Sequence, residues 1–377
     1  MSLTSNSFRI VLQRNRKKYV RIDVLNFAEA IVERFETEAI DGSITINANN
    51  QSRRMCSLVL KYSARLIPSP DSPIWLNKKM RVWTGIFDNV NETVEYYNHG
   101  IFYMSRVNID TTNGSESISI EGLDKTVFLN GTISGQLKSR NVIPANTPIH
   151  QAIRSTASTL GNETKLLIDT STFNTPFEIE RARGDTVWSL LDELTRLYMN
   201  WQIYYDVNGF LNFNQRPSRL NDPVLWDFTD TDTTLNASGV RNFDHIRNSF
   251  LVYGKVNMTT GVQAQATAQI TNASDPNSPF TIERLGGLPD GERVLVITDD
   301  NYFTNEQCLQ RLNFEKFQRT NFNERISFST VPIDFLDVNQ IINYKLQDDE
   351  VSKYVIDSIN FGLRYDAVMN IEAYKLT

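Results

Sequence analysis

The stretch that decides the fold is GIFYMSRVNI at residues 100–109, which is followed by Asn113-Gly114 and returns as SISIEG at residues 117–122. A looser copy near the other end of the chain runs YVIDSINF at residues 354–361 and returns as VMNIEAY at residues 368–374. Apolar and polar residues alternate in these segments, and Asn-Gly between such runs is typical of a β-hairpin. We therefore predict two β-hairpins.

The two outgoing strands keep the same character at equivalent positions when they are laid over each other without gaps. Asparagine stands at both Asn108 and Asn360, and the matched apolar pairs are Phe102/Tyr354, Met104/Ile356 and Val107/Ile359. This match predicts a duplicated β-domain, although any two amphipathic hairpins share some likeness. Duplicated barrels are parts from which rings are built, so the repeat favours assembly over catalysis.

Composition places the chain among ordinary soluble globular proteins. Its 377 residues suit two to four domains, and 40% hydrophobic with 22% charged residues is unremarkable. No apolar run reaches the length of a membrane helix, and the first residues lack the pattern of a signal peptide. We therefore expect no membrane insertion.

Charge and cysteine content narrow the function classes further. The net charge of −6 argues against broad nucleic-acid affinity. One segment is basic instead and contains no acidic residue among its cations Arg9, Arg14, Arg16, Lys17, Lys18 and Arg21. We interpret this segment as a solvated edge strand protected by its charge. The alternative is an arm that binds an acidic partner. Cys56 and Cys308 are expected to be buried thiols, and three scattered histidines, His99, His150 and His245, do not predict a zinc site.

The predicted fold class is α+β, mainly β, with two similar β-barrel domains, a smaller α+β domain and a loop-rich insertion. The first barrel is assigned to residues 1–130 and the second to residues 224–256 with 320–377. Residues 131–223 with 257–319 form the peripheral α+β domain. Short strands separated by turn residues favour a closed or nearly closed barrel, and Asp41-Gly42 is interpreted as one of these turns.

Helix signals lie between the two β regions. Thr147-Pro148 predicts a helix start and Gly161 its end. Asp185 is predicted to cap a second helix, with one apolar face formed by Val187, Leu190, Leu191, Leu194 and Tyr198. The hairpin at residues 201–213 follows. A capping box at Thr304–Gln307 predicts a helix to about Thr320, with Leu309, Leu312 and Phe317 inward.

The sequence contains no strong catalytic pattern: it lacks a phosphate loop, a nucleophile elbow and a His-Glu-x-x-His motif. The acidic groups Asp227, Asp230, Asp232 and Asp348-Asp349-Glu350 are interpreted as solvated turns, with calcium binding as the alternative for the first three. The aromatic set is interpreted as core rather than as a sugar site; it comprises Trp188, Tyr198, Trp201, Tyr204 and Tyr205. We predict that the chain is not an enzyme, has no catalytic, cofactor-binding or metal-binding residues, and needs no cofactor.

Two stretches resemble phage tail hub proteins, the baseplate hubs and the N-terminal hub region of tail-associated lysins. The first is residues 100–125, with the pattern Gly-x-apolar, turn, Ser-x-x-Ile, then Asp124. The second is residues 184–211, a helix followed by a hairpin. The resemblance implies a homotrimer in which each subunit gives two barrels to a pseudo-sixfold ring. That ring would join the hexameric tail tube to distal tail, tip, spike or tape-measure proteins.

The same resemblance implies a location in the virion tail, after assembly in the bacterial host cytoplasm, and a channel through which phage DNA passes without specific binding. The negative net charge predicts an acidic or neutral channel wall. Tail-associated lysins carry a hydrolase after the hub, and this sequence shows no room for one before Thr377. The alternatives are a cell-wall peptidoglycan hydrolase of the tail tip and a carbohydrate receptor-binding module.

Overall fold

A computed structural model describes residues 17–88, 92–112, 115–197, 201–216, 222–229, 234–300, 302–320, 323–346 and 351–376. The chain is mainly β over these residues, which confirms the predicted class. It divides into two compact units. The first comprises Met1–Ser238 with Ser327–Leu376, and the second comprises Gly239–Ile326.

The first unit begins with seven strands of a large sheet. They are β1 (Lys18–Leu25), β2 (Ile31–Phe35), β3 (Ala39–Asn47), β4 (Arg54–Lys61), β5 (Lys79–Asp88), β6 (Thr93–Thr112) and β7 (Ser115–Leu123). Their neighbour order is β3-β4-β7-β6-β5-β1-β2. Two 3₁₀ turns, Ala64–Leu66 and Lys125–Phe128, lie beside them. Alternate residues such as Leu58, Leu60, Ile118 and Ile120 are fully buried, as one-sided sheets require.

A smaller α+β part of the first unit follows. Its elements are β8 (Asn141–Ile143), α1 (Ile149–Ser155), a π-helical turn (Thr156–Leu160), β9 (Leu166–Ile168), β10 (Ile179–Arg181), α2 (Val187–Arg196), β11 (Trp201–Tyr205) and β12 (Leu211–Gln215). The predicted hairpin is confirmed, because β11 and β12 pair antiparallel. Both helices pack their apolar faces into one core, in which Ile153, Leu190, Leu191 and Leu194 are fully buried.

The chain then runs through β13 (Val224–Phe228) and β14 (Thr234–Asn242) into the second unit. That unit contains β15 (Ser249–Val256), β16 (Gln263–Gln269), β17 (Val294–Thr298) and α3 (Asn305–Arg319). Strand β15 lies between β16 and β17, and α3 covers one face of this small sheet through Cys308 and Leu312. The capping box predicted at Thr304 and Gln307 is confirmed.

The last strands return to the first unit. They are β18 (Asn323–Thr330), β19 (Ile341–Lys345), β20 (Val351–Gly362) and β21 (Met369–Lys375). The second predicted hairpin is confirmed, since β20 and β21 pair antiparallel. Strand β20 also pairs with β3, so this group of strands extends the large sheet of the first group.

The two groups of strands share one order. The neighbours run β3-β4-β7-β6-β5-β1 in the first group and β14-β18-β21-β20-β19-β13 in the second, and both groups use their strands in the same chain order. They differ in one pairing: β1 is antiparallel to β5, whereas β13 is parallel to β19. The second unit is inserted between β14 and β18, where the first group has the short β3–β4 turn.

The hairpins of the two groups carry the same irregularity. The β6–β7 register shifts between Met104 and Arg106, and the β20–β21 register shifts between Ile356 and Ser358. These are equivalent positions in the sequence overlay. A β-bulge bends a strand and ends its regular pairing, so both groups turn their strands at the same point.

The finer parts of the predicted architecture stay predictions. No closed barrel is found among the described strands, so the two-barrel form is not confirmed. The division into residues 1–130, 131–223 with 257–319, and 224–256 with 320–377 also stays a prediction. Strand β15, which it placed with the second barrel, pairs with β16 and β17 instead.

Several local predictions need correction. Asp41-Gly42 lies inside β3 rather than in a turn, and Gly42 is required there because a Cβ would stand 2.6 Å from the Ser57 carbonyl oxygen. The cap of α2 is Thr186, which accepts a hydrogen bond from the Ser189 amide, and not Asp185. Leu309 on α3 is half exposed.

Two more local outcomes concern helix positions. The first helix begins at Ile149 after Pro148, and its continuation ends at Gly161 as predicted. The Asn113-Gly114 turn, Tyr198 and the Phe317 side chain lie outside the described residues.

Candidate functional site

The described residues contain no group of three or more His, Cys, Asp or Glu side chains that could hold a metal ion. Asp227 accepts a hydrogen bond from the Thr229 amide, as in a simple turn, while Asp230, Asp232 and residues 348–350 lie outside the described residues. Cys56 and Cys308 are free and buried, as predicted. Within the part of the chain that the structure describes, no helix is long and apolar enough to cross a membrane.

A buried polar cluster joins the first group of strands to the β18–β19 connection; we call it the junction network. Lys18 of β1 and Asp334 form an ion pair at 3.3 Å, with side chains 2% and 0% exposed. The Thr84 hydroxyl donates to Asp334 at 2.9 Å and lies 2.6 Å from His99 Nε2. Burial lowers the pKa of His99 to about 4, so its imidazole is neutral at pH 7.

The junction network continues through Arg54 at the start of β4. Its guanidinium donates to the Asp337 carboxylate and to the His99 carbonyl, while its amide donates to Asp124 at 3.1 Å. Because a buried charge is costly without a partner, these contacts hold the β18–β19 connection against β4 and β6. Sequence reasoning did not identify this network, since its members are far apart in the chain.

A second buried cluster joins the large sheet to the α+β part; we call it the lysine cluster. Glu29 accepts hydrogen bonds from Lys79, at 3.1 Å, and from Lys165. Lys125 lies 3.3 Å from Glu29 and 2.9 Å from Glu163. Burial alone raises the pKa of Glu29, but the hydrogen bond from Lys165 and the charges of Lys125 and Lys79 outweigh it and lower the pKa to about 2.

The lysine cluster closes over Tyr205, whose hydroxyl donates to Glu163 at 2.7 Å. Burial and the Glu163 charge raise the pKa of Tyr205 well above its usual value. Burial lowers the pKa of Lys79. These groups pair with each other inside the fold, so they bind two parts of the first unit together rather than leaving a reactive group free.

The basic side chains are not solvated where the structure describes them. Strand β1 pairs with β5 over Lys18–Leu25, whereas β2 pairs only with Ile22–Leu25, so the basic end of β1 has one neighbour among the described strands. Lys18 is buried in the junction network, and Arg21 lies over the rings of Trp83 and Tyr96. Arg9, Arg14 and Arg16 lie outside the described residues. The prediction of solvated charge was therefore wrong for Lys18 and Arg21.

The four described members of the aromatic set pack as predicted. Trp188 and Tyr205 are buried in the α+β core, Trp201 stacks on Phe213 at 4.5 Å, and Arg53 covers the ring of Tyr204. A carbohydrate site of the kind considered from the sequence would need these rings exposed. Their packing does not favour that alternative.

One face of the large sheet is mostly polar across both groups of strands; we call it the polar sheet face. The registers place Thr45 opposite Asn360, and Asn360 opposite Asn370. Side chains hydrogen-bond between strands on this face, for example Asn360 to Thr45 at 2.6 Å. The face includes two apolar residues, Met55 and Val59, and the polar residues Ser43, Thr45, Asn47, Ser57, Arg106, Asn108, Ser119, Glu121, Ser358, Asn360, Asn370 and Glu372. Short neutral side chains predominate on it.

Comparison with known proteins identifies the fold. A family model described as "Domain of unknown function (DUF5048)" matches residues 277–377. No curated protein matches the sequence. Among solved structures, the chain is similar to the 43 kDa tail protein of prophage MuSo2 from Shewanella oneidensis, with 15% identity, a TM-score of 0.64 and coverage of 94% of this chain and 98% of that one.

Two further structures give the same result. The tail protein from Neisseria meningitidis MC58 is 11% identical, with a TM-score of 0.64 and coverage of 94% and 96%. The prophage tail protein gp18 from Listeria monocytogenes EGD-e is 12% identical, with a TM-score of 0.56 and coverage of 94% of each chain. The chain therefore has the fold of prophage tail proteins, and the resemblance predicted from the two stretches is confirmed at the level of the fold.

Proposed function

We propose that the chain is a structural hub of a phage or prophage tail tip, in which three copies form a ring between the hexameric tail tube and the distal tip proteins. The fold shared with prophage tail proteins supports a tail component. The observation that carries the hub is the duplicated strand order, which gives each copy two equivalent groups of strands. Three such chains present six equivalent groups, which match a sixfold tube.

The polar sheet face is the surface that we assign to the channel. Duplex DNA is held by lysine and arginine side chains that displace its counterions, so a wall that lets DNA slide needs few free cations. On this face Arg106 stands opposite Glu121 in the register, and the strands nearest the β3–β20 pairing carry mainly serine, threonine and asparagine. The face therefore supports passage of DNA without specific binding.

The remaining parts of the proposal follow from the hub. Its partners are the tail tube and distal tail proteins, with a tip, spike or tape-measure protein, and its location is the virion tail after assembly in the host cytoplasm. Its role is structural and not enzymatic. The buried networks support this role, because they use charged groups to join segments of the fold.

Oligomeric state tests the proposal directly. The purified chain is mixed with the tail tube protein of the same phage, and native mass spectrometry with negative-stain electron microscopy measures the species formed. We expect a ring of three copies that stacks on the hexameric tube. A chain that remains monomeric beside the tube protein at every concentration tested contradicts the hub.

The enzyme alternative needs a separate measurement. A zymogram on peptidoglycan from the host distinguishes a hydrolase from a structural hub. We expect no clearing. Clearing that disappears on a single carboxylate substitution would establish the hydrolase.

A further inference from the structure

Strand β20 changes its partner along one edge. Its residues 351–355 pair with β19, and its residues 358–362 pair with β3 on the same edge, while β21 occupies the other edge. The change falls at the bulge between Ile356 and Ser358. The β3–β20 pairing is thus the joint between the two groups of strands within one chain.

The equivalent edge in the first group is open among the described residues. Strand β6 pairs with β5 up to Tyr103, and after the bulge its residues 106–112 pair with no described strand other than β7. Strand β14, the counterpart of β3, ends the strand order and pairs with β18 alone among the described strands. Each group therefore carries one strand like β3 and one edge like that of β20, and only β3 and β20 are joined in this way among the described strands.

Side-chain exposure supports a missing neighbour. Phe361 at the joint within the chain is 1% exposed, but its counterpart Ile109 is 42% exposed. On β14, Leu235 is 61% exposed. Open edges with exposed apolar side chains are rare in monomers, because they are templates for pairing with another chain.

We propose that β14 of one copy pairs antiparallel with residues 106–112 of β6 in the next copy, repeating between chains the β3–β20 joint within the chain. This inference rests on the proposed ring and names the surfaces that close it. A heterologous contact between two different edges closes a ring when the rotation allows, so two open edges per chain are sufficient.

The register follows from the joint within the chain. Gly362 stands opposite Ser43 there, and the sequence overlay makes Asp110 the counterpart of Gly362. The Ser238 hydroxyl donates to the Ser327 carbonyl, as expected if Ser238 corresponds to Ser43, which stands opposite Ser57 on β4. The proposal therefore places Asp110 of one copy opposite Ser238 of the next.

Disulfide trapping tests this register. Opposite residues in antiparallel strands have Cα atoms about 4.5–5.5 Å apart, which lies within the range a disulfide spans. Chains carrying Asp110→Cys are mixed with chains carrying Ser238→Cys, assembled with the tube protein and oxidised. Ala237→Cys is the matched control, since neighbouring strand residues point to opposite faces. The unsubstituted chain controls for the buried Cys56 and Cys308.

We expect Asp110→Cys and Ser238→Cys chains to give a covalent dimer on a non-reducing gel, and Asp110→Cys with Ala237→Cys to give at least tenfold less. Thr112→Cys with Asn236→Cys is a second pair in the same register, for use if either first variant fails to fold. A ring seen by mass without either dimer overturns the β14–β6 pairing and leaves the hub intact. The absence of any ring contradicts the hub itself.

Discussion

The junction network makes a strong prediction about stability, because Lys18 and Asp334 are an ion pair almost entirely removed from water. Replacing Lys18 with methionine keeps the length of the side chain and removes its charge. Asp334 then stays buried and keeps the Thr84 hydroxyl as its donor. Removing one partner of a buried pair costs about 3–5 kcal/mol, since the remaining charge is uncompensated.

The double variant separates the charge from the packing. Asp334→Asn alone leaves the Lys18 ammonium buried beside a neutral amide, so it should cost a similar free energy of unfolding. Lys18→Met with Asp334→Asn removes both charges, and replacing a buried pair by neutral groups is often close to neutral. We expect the double variant to recover at least half of the loss measured for either single variant.

Urea unfolding followed by tryptophan fluorescence measures these free energies, with near-ultraviolet circular dichroism as a check on two-state behaviour. Arg364→Met is the matched control, because its pair with Asp366 is exposed and such pairs contribute little. A loss below about 1 kcal/mol for Lys18→Met, in the range of a surface pair, would refute the reasoning.

Three further predictions concern acid stability and packing. The pKa of His99 is lowered to about 4 in the folded chain, so on acidification the unfolded chain binds a proton at this residue at higher pH than the folded chain does. Stability should therefore fall between about pH 6.5 and 4. His99→Gln should flatten that part of an acid titration followed by circular dichroism. Glu29, with its pKa lowered to about 2, stabilises the fold above about pH 4.5 and loses this effect toward pH 2, so Glu29→Gln should remove that second loss and lower stability at pH 7. Gly42→Ala should lower the free energy of unfolding measured with urea by about 1–3 kcal/mol, because its Cβ would meet a carbonyl oxygen, whereas Ser43→Ala should not.

The sequence predicted the parts of the fold that local patterns determine. Both hairpins, the α2 face of Val187, Leu190, Leu191 and Leu194, and the capping box at Thr304 form as expected. Periodicity and turn residues encode these elements within a dozen positions. Gly42 shows the limit: a glycine required by a close approach of strands has the same sequence signature as a glycine in a turn.

The sites could not be predicted, because their residues meet only in the folded chain. Lys18 and Asp334 are more than 300 residues apart, and a lysine beside other basic residues was interpreted as solvated edge charge. Its burial depends on contacts with Asp334 and with the Gly362 carbonyl, which lie far along the chain. A buried lysine becomes predictable only when its carboxylate partner is known.

The two bulges say more about assembly than the sequence match that first indicated the duplication. A strand can pair with two successive partners along one edge only if it bends between them, and β20 bends at the bulge between Ile356 and Ser358, where β19 ends and β3 begins. The bulge between Met104 and Arg106 gives β6 the same bend, yet no second partner follows it among the described strands. The proposed ring gives that bend a role, because the joint between copies would supply the second partner of β6.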